Sequence, residues 1–436
     1  MLKQYFKQAW QLIKQNKLFS SIYVAGTALG ISMVMVLILV LSFKTLRVYP
    51  EQDNNRMLFV KSAAMRPKTD EMKFWSSAIS YEGLQKIFFT LETPEVVASE
   101  IGRGDGGYVS MPDGKPRTRI SVRDVDAAYW HVFNFAFIDG KPFSEADFQS
   151  GLNSVVIAES LARKLFGTHE ARGKTIEYDF VEYRIAGVVK DVSTIMSRTY
   201  AQLWRPYTCL GYYKNDNGHP SGFLGPYQVY ILAKSKKDFP AIREEVNEQV
   251  GRYNSGFKDF EMDLLGYPDD IYAVSQRLSA HQPLNRTSTI LFQLVVILLL
   301  LLVPAVNLSG MNSSRMERRL SEMGVRKAFG AARSQLLNQV LVENLLLTGL
   351  GGLAGLLLSY AILLLGRNWV LNIGYTFGSG VPKDIPVDFS MSMLFNLKIF
   401  IIVLAVCLLM NILSAFIPVF HSLRKSITDS LYIKYN

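Results

Sequence analysis

The segment Glu317–Leu347, ERRLSEMGVRKAFGAARSQLLNQVLVENLLL, places a charge every few residues between two flanks that carry almost none. Upstream, Thr287–Ser314 holds no Asp, Glu, Lys or Arg, and downstream the same is true of Leu345–Gly366. Two further runs, Leu18–Phe43 and Ile399–Leu423, share this property. At about 1.5 Å rise per residue, each run crosses a hydrocarbon core of about 30 Å as a helix that satisfies its own backbone. The chain of 436 residues is 49% hydrophobic and only 19% charged, too apolar for an ordinary soluble protein, and four transmembrane helices are expected.

The formal charge of +10 is distributed unevenly. Residues 1–17 carry four Lys and no acid, residues 311–344 carry six basic and three acidic side chains, and residues 424–436 carry three basic and one acidic. Residues 44–286 balance 31 basic against 31 acidic side chains. The excess thus lies beside helix ends, which places both termini and the 315–344 connector on the cytoplasmic side. It forms no basic face on a folded domain, so nucleic acid is not an expected partner. The first apolar run has 26 residues, too long for a signal-peptide core of about 7 to 15, and no small-residue cleavage site follows it, so an uncleaved anchor is expected. Cys407 falls inside the fourth expected span and Cys209 in the polar block, so no disulfide framework is expected.

These boundaries define an α+β membrane protein. A cytoplasmic amphipathic helix (1–17) precedes transmembrane helix 1 (18–43). A large extracytoplasmic α+β domain (44–286) is inserted before helix 2 (287–314). The cytoplasmic connector (315–344), helix 3 (345–366), a short external loop (367–398), helix 4 (399–423) and a cytoplasmic tail (424–436) follow. In residues 1–17, Leu2, Tyr5, Phe6, Ala9, Trp10 and Ile13 recur at helical spacing apart from most of the lysines, the pattern of a helix lying on membrane lipid. Within the polar block, strands are expected at Met57–Lys61, Ser154–Ala158, Tyr183–Val189 and Gln228–Ala233, and helices at Tyr81–Leu91, Glu159–Phe166 and Phe239–Tyr253.

Candidate chemistry fails on spacing. GTHEARGKT, Gly167–Thr175, has five residues between its glycines where a phosphate loop needs four, and fits a helix-to-strand turn better. GRGDGG, which holds Gly102, Gly104 and Gly107, does not match a dinucleotide fingerprint. His131, His169, His281 and His421 have no helical-spacing partner among Cys, Asp or Glu, and Asp216, three residues before His219, lies with it in the turn-rich stretch NDNGHPSG, so no metal site is expected. No G-x-S-x-G elbow occurs, and Cys209 has no adjacent basic cluster to activate it. No catalytic residue, cofactor site or metal site is expected, which leaves mechanical or binding work.

In the connector, Met316, Leu320, Met323 and Ala328 trace an apolar stripe among Arg318, Arg319, Glu322, Arg326 and Lys327. Gly330 interrupts, and a second helix starting near Ser334 runs into the third span. Such a helix suits docking into a groove on a soluble partner, although a solvated loop accounts for the pattern equally well. Gly26 and Gly30 form G-x-x-x-G in the first span, and GLGGLAG, Gly349–Gly355, supplies Gly351 and Gly355 in the third; both are candidate helix-packing faces, within the chain or between copies.

SEMGVRKAFGAARSQLLNQVLVENLLL closely resembles the signature of FtsX-like permeases of ABC transporters, the group that includes MacB, with matches at Glu322, Gly324, Arg326, Ala328, Gly330, Ala331, Gln335 and Glu343. Ser321 stands where the pattern has Arg. KQNKLFSSIYVAGTALGIS resembles the family's first-helix entry, and IPVFHSLRKSITDSL its close, with Ile427 in place of Pro. YWHVFNFAFIDGKPF, SVVIAESLARKLFG, GKTI and YRIAGVVKDV resemble the MacB-type periplasmic domain.

The resemblance implies a dimer, of identical or related permeases, on whose connectors two ATPase subunits dock through residues such as Glu322, Gly324, Arg326, Lys327, Gly330 and Arg333. ATP would bind the partner and not this chain. Closure of the ATPases would move the helices and shift a periplasmic domain that is split into a porter-like part and an insertion at roughly 100–223. MacB itself carries its ATPase at its N-terminus; this chain opens on the surface helix, so a separate ATPase subunit is expected. The spans hold no Asp, Glu, Lys or Arg to mark a solute path. The expected location is the bacterial inner membrane. An exporter predicts a periplasmic adaptor and an outer-membrane channel, an FtsX-like regulator predicts a cell-wall hydrolase, and a sensor predicts a kinase at the connector.

Overall fold

The computed structural model describes residues 2–300 apart from 44, 46, 70–72, 103–105, 113–116, 195 and 215–221, and then 302, 325–326, 328–330, 332–366, 397, 400–409 and 412. The chain divides into two compact units, one of Met1–Leu41, Thr287–Val370 and Ser390–Asn436, the other of Ser42–Arg286 with Leu371–Phe389.

In the first unit the surface helix spans Leu2–Gln15 and is followed at once by the helix Lys17–Phe43. A second long helix runs from Arg333 to Leu365. Among the described residues these two helices are long and apolar enough to cross a membrane, as Lys17–Ser42 and Gln335–Leu365. The expected spans at 287–314 and 399–423 are represented by shorter apolar helices, Arg286–Leu300 and Phe400–Leu409, and the remainder of each, apart from Leu302 and Ile412, lies outside the described residues. The surface helix packs against Arg333–Leu365. Ile13 and Phe19 close over buried Tyr23 and Leu347, and the Tyr23 hydroxyl lies 3.5 Å from Thr348 Oγ1. Ala9 is buried while Trp10, with Lys14 Nζ 5.7 Å from its ring centre, is exposed.

Among the described residues the second unit carries a sixteen-stranded sheet, twelve strands along one connected path and four paired off it. Its centre is Tyr227–Leu232, antiparallel to Val96–Ile101 on one side (Tyr227↔Ile101 to Leu232↔Val96) and to Met57–Val60 on the other (Met57↔Leu232 to Val60↔Val229). All four residues of Met57–Val60 are buried, as a two-sided strand requires. The chain leaves this half at Ile101 and re-enters it by Leu224–Gly225 and Tyr227–Leu232. The strands between, from Tyr108–Ser110 to Leu203–Pro206, all lie beyond Val96–Ile101 in the sheet order.

In that second half Ser154–Ala158 is buried throughout and pairs in parallel with Val181–Val189, which demands a crossover. Helix Glu159–Phe166 supplies it, burying Leu161, Ala162 and Leu165 on one face and closing on Gly167 at φ +73°. Gly167–Thr175 therefore leads from helix to strand, with Thr175–Tyr178 beginning at its end. Helix Phe239–Ser255 packs Ile242 and Val246 inward. The helix expected over Tyr81–Leu91 is shorter: Tyr81–Gly83 passes into a wider turn at Leu84–Phe88 and stops. Thr90 Oγ1 donates to the carbonyls of Lys86 and Ile87 at 3.1 Å each, so a side chain takes the place of the next helical N–H groups.

Candidate functional site: the connector turn and the charged seam of the outer unit

Among the described residues polarity combines with burial or with a defined turn at several places, and two of them bear on function. The first is the connector. Gly330 has φ +88°, in the left-handed region that glycine enters at no steric cost. Ala332 then caps the helix that starts at Arg333, its N–H donating to Gln335 Oε1 at 3.2 Å. Across the turn, Arg326 Nη1 donates to Gln339 Oε1 at 2.8 Å, which ties the segment before Gly330 to the helix after it. Phe329 N–H donates to Val325 O at 3.1 Å, and the Phe329 ring is 87% exposed. Glu322, Gly324 and Lys327 lie outside the described residues, as does the side chain of Arg333.

The helix Arg333–Leu365 has 33 residues, about 50 Å at 1.5 Å per residue, which exceeds an apolar core by about 20 Å. The residues after Ala332 and the apolar run that follows them thus lie on one continuous helix. Buried Glu343, Asn344 and Thr348 lie along it, a polar stripe that the sequence signals only as interruptions in an apolar run.

The same rod carries the glycine motif. A Cβ on Gly351 would approach Thr27 Cβ to 2.7 Å, and one on Gly355 would approach Ala28 O to 2.8 Å and Ile31 Cβ to 3.0 Å. These glycines admit the first membrane helix at Thr27–Ile31. A Cβ on Gly352 would run into Leu404, of helix Phe400–Leu409. Gly30 is buried, whereas a Cβ on Gly26 would meet nothing within 4 Å. The partners of Gly351 and Gly355 on the first helix are therefore Thr27, Ala28 and Ile31.

The second place is the seam between the halves of the outer sheet, where Val96–Ile101 meets Val122–Val125 through Glu100↔Val125 and Ile101↔Asp124. Arg123 Nη1 donates to Glu100 Oε2 at 2.6 Å, and the Tyr230 hydroxyl donates to Glu100 Oε1 at 2.6 Å. Arg123 also donates to the carbonyls of Tyr200 and Ser197. Burial opposes charge on the Arg123 guanidinium, yet Glu100, Tyr129 and Tyr230 hold its pKa above the ordinary arginine value. Asp124 pairs with Arg205. Glu51, 1% exposed, accepts from Arg198 Nη2 at 2.9 Å, Thr199 Oγ1 at 2.9 Å and Asn54 Nδ2 at 3.2 Å. Asp126 accepts from Ser99 N at 2.6 Å, Ser99 Oγ at 2.7 Å and Tyr129 N at 2.9 Å; burial pushes its pKa up to about 7 against these bonds.

Rings from both halves surround these pairs: Tyr129 against Phe133 (4.7 Å) and Tyr230 (6.2 Å), Phe133 against Tyr230 (5.1 Å), and Trp130 against Trp204 (6.2 Å). The carboxylates of this seam are each engaged by named donors, which suits a stiff joint rather than acid–base chemistry. Among the described residues no three His, Cys, Asp or Glu side chains gather as metal ligands. Burial raises the Cys209 thiol to about 11, the state of an inert cysteine.

The class of protein is set by the families that its two parts match. The chain belongs to the family with a MacB-like periplasmic core domain, whose model matches residues 20–249, and an FtsX-like permease C-terminal model matches residues 294–427. It is therefore a membrane permease with a periplasmic or extracellular domain.

Among its relatives is the pyoverdine export ATP-binding/permease protein PvdT of Pseudomonas savastanoi pv. phaseolicola, 24% identical over 80% of this chain and 50% of that one. The uncharacterized ABC transporter permease YvrN of Bacillus subtilis is 24% identical over 82% of this chain and 87% of its own. The macrolide export ATP-binding/permease protein MacB of Neisseria meningitidis is 26% identical over 62% and 38%. The chain thus spans about half the length of PvdT. The extracellular domain of YknZ matches in structure at 18% identity, with TM-score 0.34, over 47% of this chain and 98% of that one.

Proposed function

We propose that the chain is the permease subunit through which a separate ATPase, docked on the 315–344 connector, drives motion of the 44–286 domain to export or extract a substrate. The observation that carries this proposal is the uninterrupted helix from Arg333 to Leu365, directly after the Gly330 turn. A displacement applied at the turn is carried along one continuous helix that has no proline, past the Gly349–Gly355 stretch where it packs on Thr27–Ile31. Support for export comes from the relatives named for macrolide and pyoverdine export, and support for an ATPase on a second chain from YvrN, named a permease alone.

In this scheme Glu322, Gly324, Arg326, Lys327, Gly330 and Arg333 form the ATPase-docking face, and Phe329 stands at its tip as an apolar anchor. Two permeases pair across the bilayer of a bacterial inner membrane with their termini in the cytoplasm. A periplasmic adaptor and an outer-membrane channel complete the export route.

The Gly330→Val variant tests the docking turn. A β-branched residue at φ +88° costs about 1–2 kcal/mol and displaces the turn. In the reconstituted complex, ATP hydrolysis is expected to continue at its unstimulated rate while substrate no longer accelerates it. Full substrate stimulation in this variant contradicts the docking role.

A further inference from the structure

Strands Thr175–Tyr178 and Val181–Val189 form a hairpin in register Thr175↔Arg184 to Tyr178↔Val181, joined by Asp179 and Phe180 alone. Both have positive φ, 47° and 68°. Such turns take Asn-Gly or Asp-Gly, since both positions lie where side chains crowd the backbone. Asp179 fits that pattern; Phe180, a bulky residue in the left-handed region, does not.

The turn is firmly mounted. Asp179 N–H donates to Tyr108 O at 3.1 Å, and Tyr108 N–H donates to Asp179 Oδ1 at 3.1 Å. A Cβ on Gly107 would run into Tyr178 Oη and Asp179 Oδ2, so glycine there is what admits the hairpin. The Phe180 ring gains no burial from the arrangement, being 81% exposed. Arg117, itself exposed, holds its guanidinium 5.5 Å from the Phe180 ring and 4.8 Å from that of Tyr108, which is 47% exposed. Among the described residues Arg117 has no ion pair or hydrogen bond. Glu177 and Glu182 stand opposite one another beside the tip.

A strained apolar side chain, rigidly held and kept in solvent, gains little among the described residues beyond its contact with Arg117, and strain of this kind is retained at functional positions. Exposed aromatics with an arginine are also the composition of interface anchors. We propose that Phe180, with Tyr108, Val181 and Arg117, is a docking knob for a partner protein that offers an apolar pocket with a carboxylate opposite Arg117 and a basic residue opposite Glu177 and Glu182. A lipid surface fits poorly, since one ring flanked by Asp179, Glu177 and Glu182 would draw three carboxylates toward the headgroups. The proposal rests on the placement of 44–286 outside the cytoplasm.

The test places the photoreactive residue p-benzoylphenylalanine at position 180 of the full-length chain in intact cells. The expected result is an adduct with one other protein through a peptide that combines apolar residues with an acid and a base. Arg117→Glu should lower its yield about tenfold, the loss expected when an anchoring residue is reversed, and exchange of the partner's acid for Lys should restore it. An adduct with phospholipid or with a second copy of this chain, an adduct indifferent to Arg117→Glu, or no adduct overturns the proposal.

Phe180→Gly provides the second arm, because it removes the ring and relieves the backbone together. Thermal unfolding of the detergent-solubilised chain should be unchanged or shifted upward while the partner no longer co-purifies; a clear downward shift would make the ring structural and refute the knob. Labelling that found residues 44–286 in the cytosol would sink this proposal and the permease mechanism together. Intact ATPase coupling without an adduct would sink the knob alone.

Discussion

The membrane unit and the outer unit hold their parts together by opposite means. In the first, helix Arg333–Leu365 meets helix Lys17–Phe43 where side chains are missing: Gly351 and Gly355 bring backbone against Thr27, Ala28 and Ile31. In the second, the two halves of the sheet share few backbone pairs at their seam and are joined by large side chains, Glu100 with Arg123 and Tyr230 inside a cage of rings. Lipid offers no hydrophobic drive between helices, so close approach has to supply the attraction. Water outside the membrane supplies that drive to the outer unit, and ion pairs then fix which strands meet. Glycine contacts suit rods that slide or tilt against each other, whereas a caged ion pair suits a part that moves as one piece.

The largest expected effect of breaking this contrast is at the seam. Arg123→Met removes the ion-pair partner of the buried Glu100 carboxylate, leaving it the Tyr230 hydroxyl and the charge of partly buried Lys61, and should lower the stability of the outer unit by about 3–5 kcal/mol in denaturant unfolding. Replacing both partners, Glu100→Met with Arg123→Met, should recover most of that loss. If the single and double variants were equally unstable, the pair would be doing more than neutralising itself.

Next in size is the glycine face. Gly355→Val places new atoms against Ala28 O and Ile31, and should cost about 1–3 kcal/mol, read as a lower midpoint for loss of helical signal in detergent. Gly26→Val meets nothing within 4 Å of its Cβ in the chain, so it should leave that midpoint unchanged. Should Gly26→Val instead dissociate a dimer on sizing, the open side of the first helix is where a second copy sits.

A third effect, spread over several pH units, is on pH dependence. Burial pushes the Asp126 pKa up from 3.8 to about 7 in the fold, so the folded state keeps a proton that the unfolded state loses between those values. Its contribution to stability is present below pH 3.8 and declines as pH rises to about 7, by at most about 1.4 kcal/mol per unit. Unfolding midpoints of the intact protein should therefore fall from pH 5 to pH 7, and Asp126→Asn should flatten that descent. A midpoint that rises over this interval in both proteins would place the control with other groups.

What the sequence discloses follows the same division. The helices Lys17–Phe43 and Glu159–Phe166, and the strand Ser154–Ala158, are legible because a single property, an apolar run or a 3.6-residue period, determines each. Strands such as Thr118–Arg119, Leu224–Gly225 and Asp269–Asp270 are not, since two residues carry no period and exist only through their neighbours. Tyr81–Leu91 reads as a helix because its pattern gives no warning that Thr90 will bond back to Lys86 and Ile87. The charged seam was equally hidden: Glu51, Glu100, Arg123 and Arg198 are far apart along the chain and look like solvated surface until the sheet gathers them. In the connector, Gly330 announces its turn, whereas the packing of the surface helix on Arg333–Leu365 leaves no local trace beyond an apolar stripe that suits lipid equally.

The central claim is that a stroke delivered at the connector is felt in the outer unit. Its most direct measurement is the distance between spin labels at Lys237, in the outer unit, and Leu365, at the end of the long helix, in a chain with Cys209 and Cys407 replaced and reconstituted with its ATPase. The distance distribution is expected to shift when ATP is added, and not to shift in Gly330→Val. An unchanged distribution during full-rate hydrolysis by the unmodified connector would contradict the account.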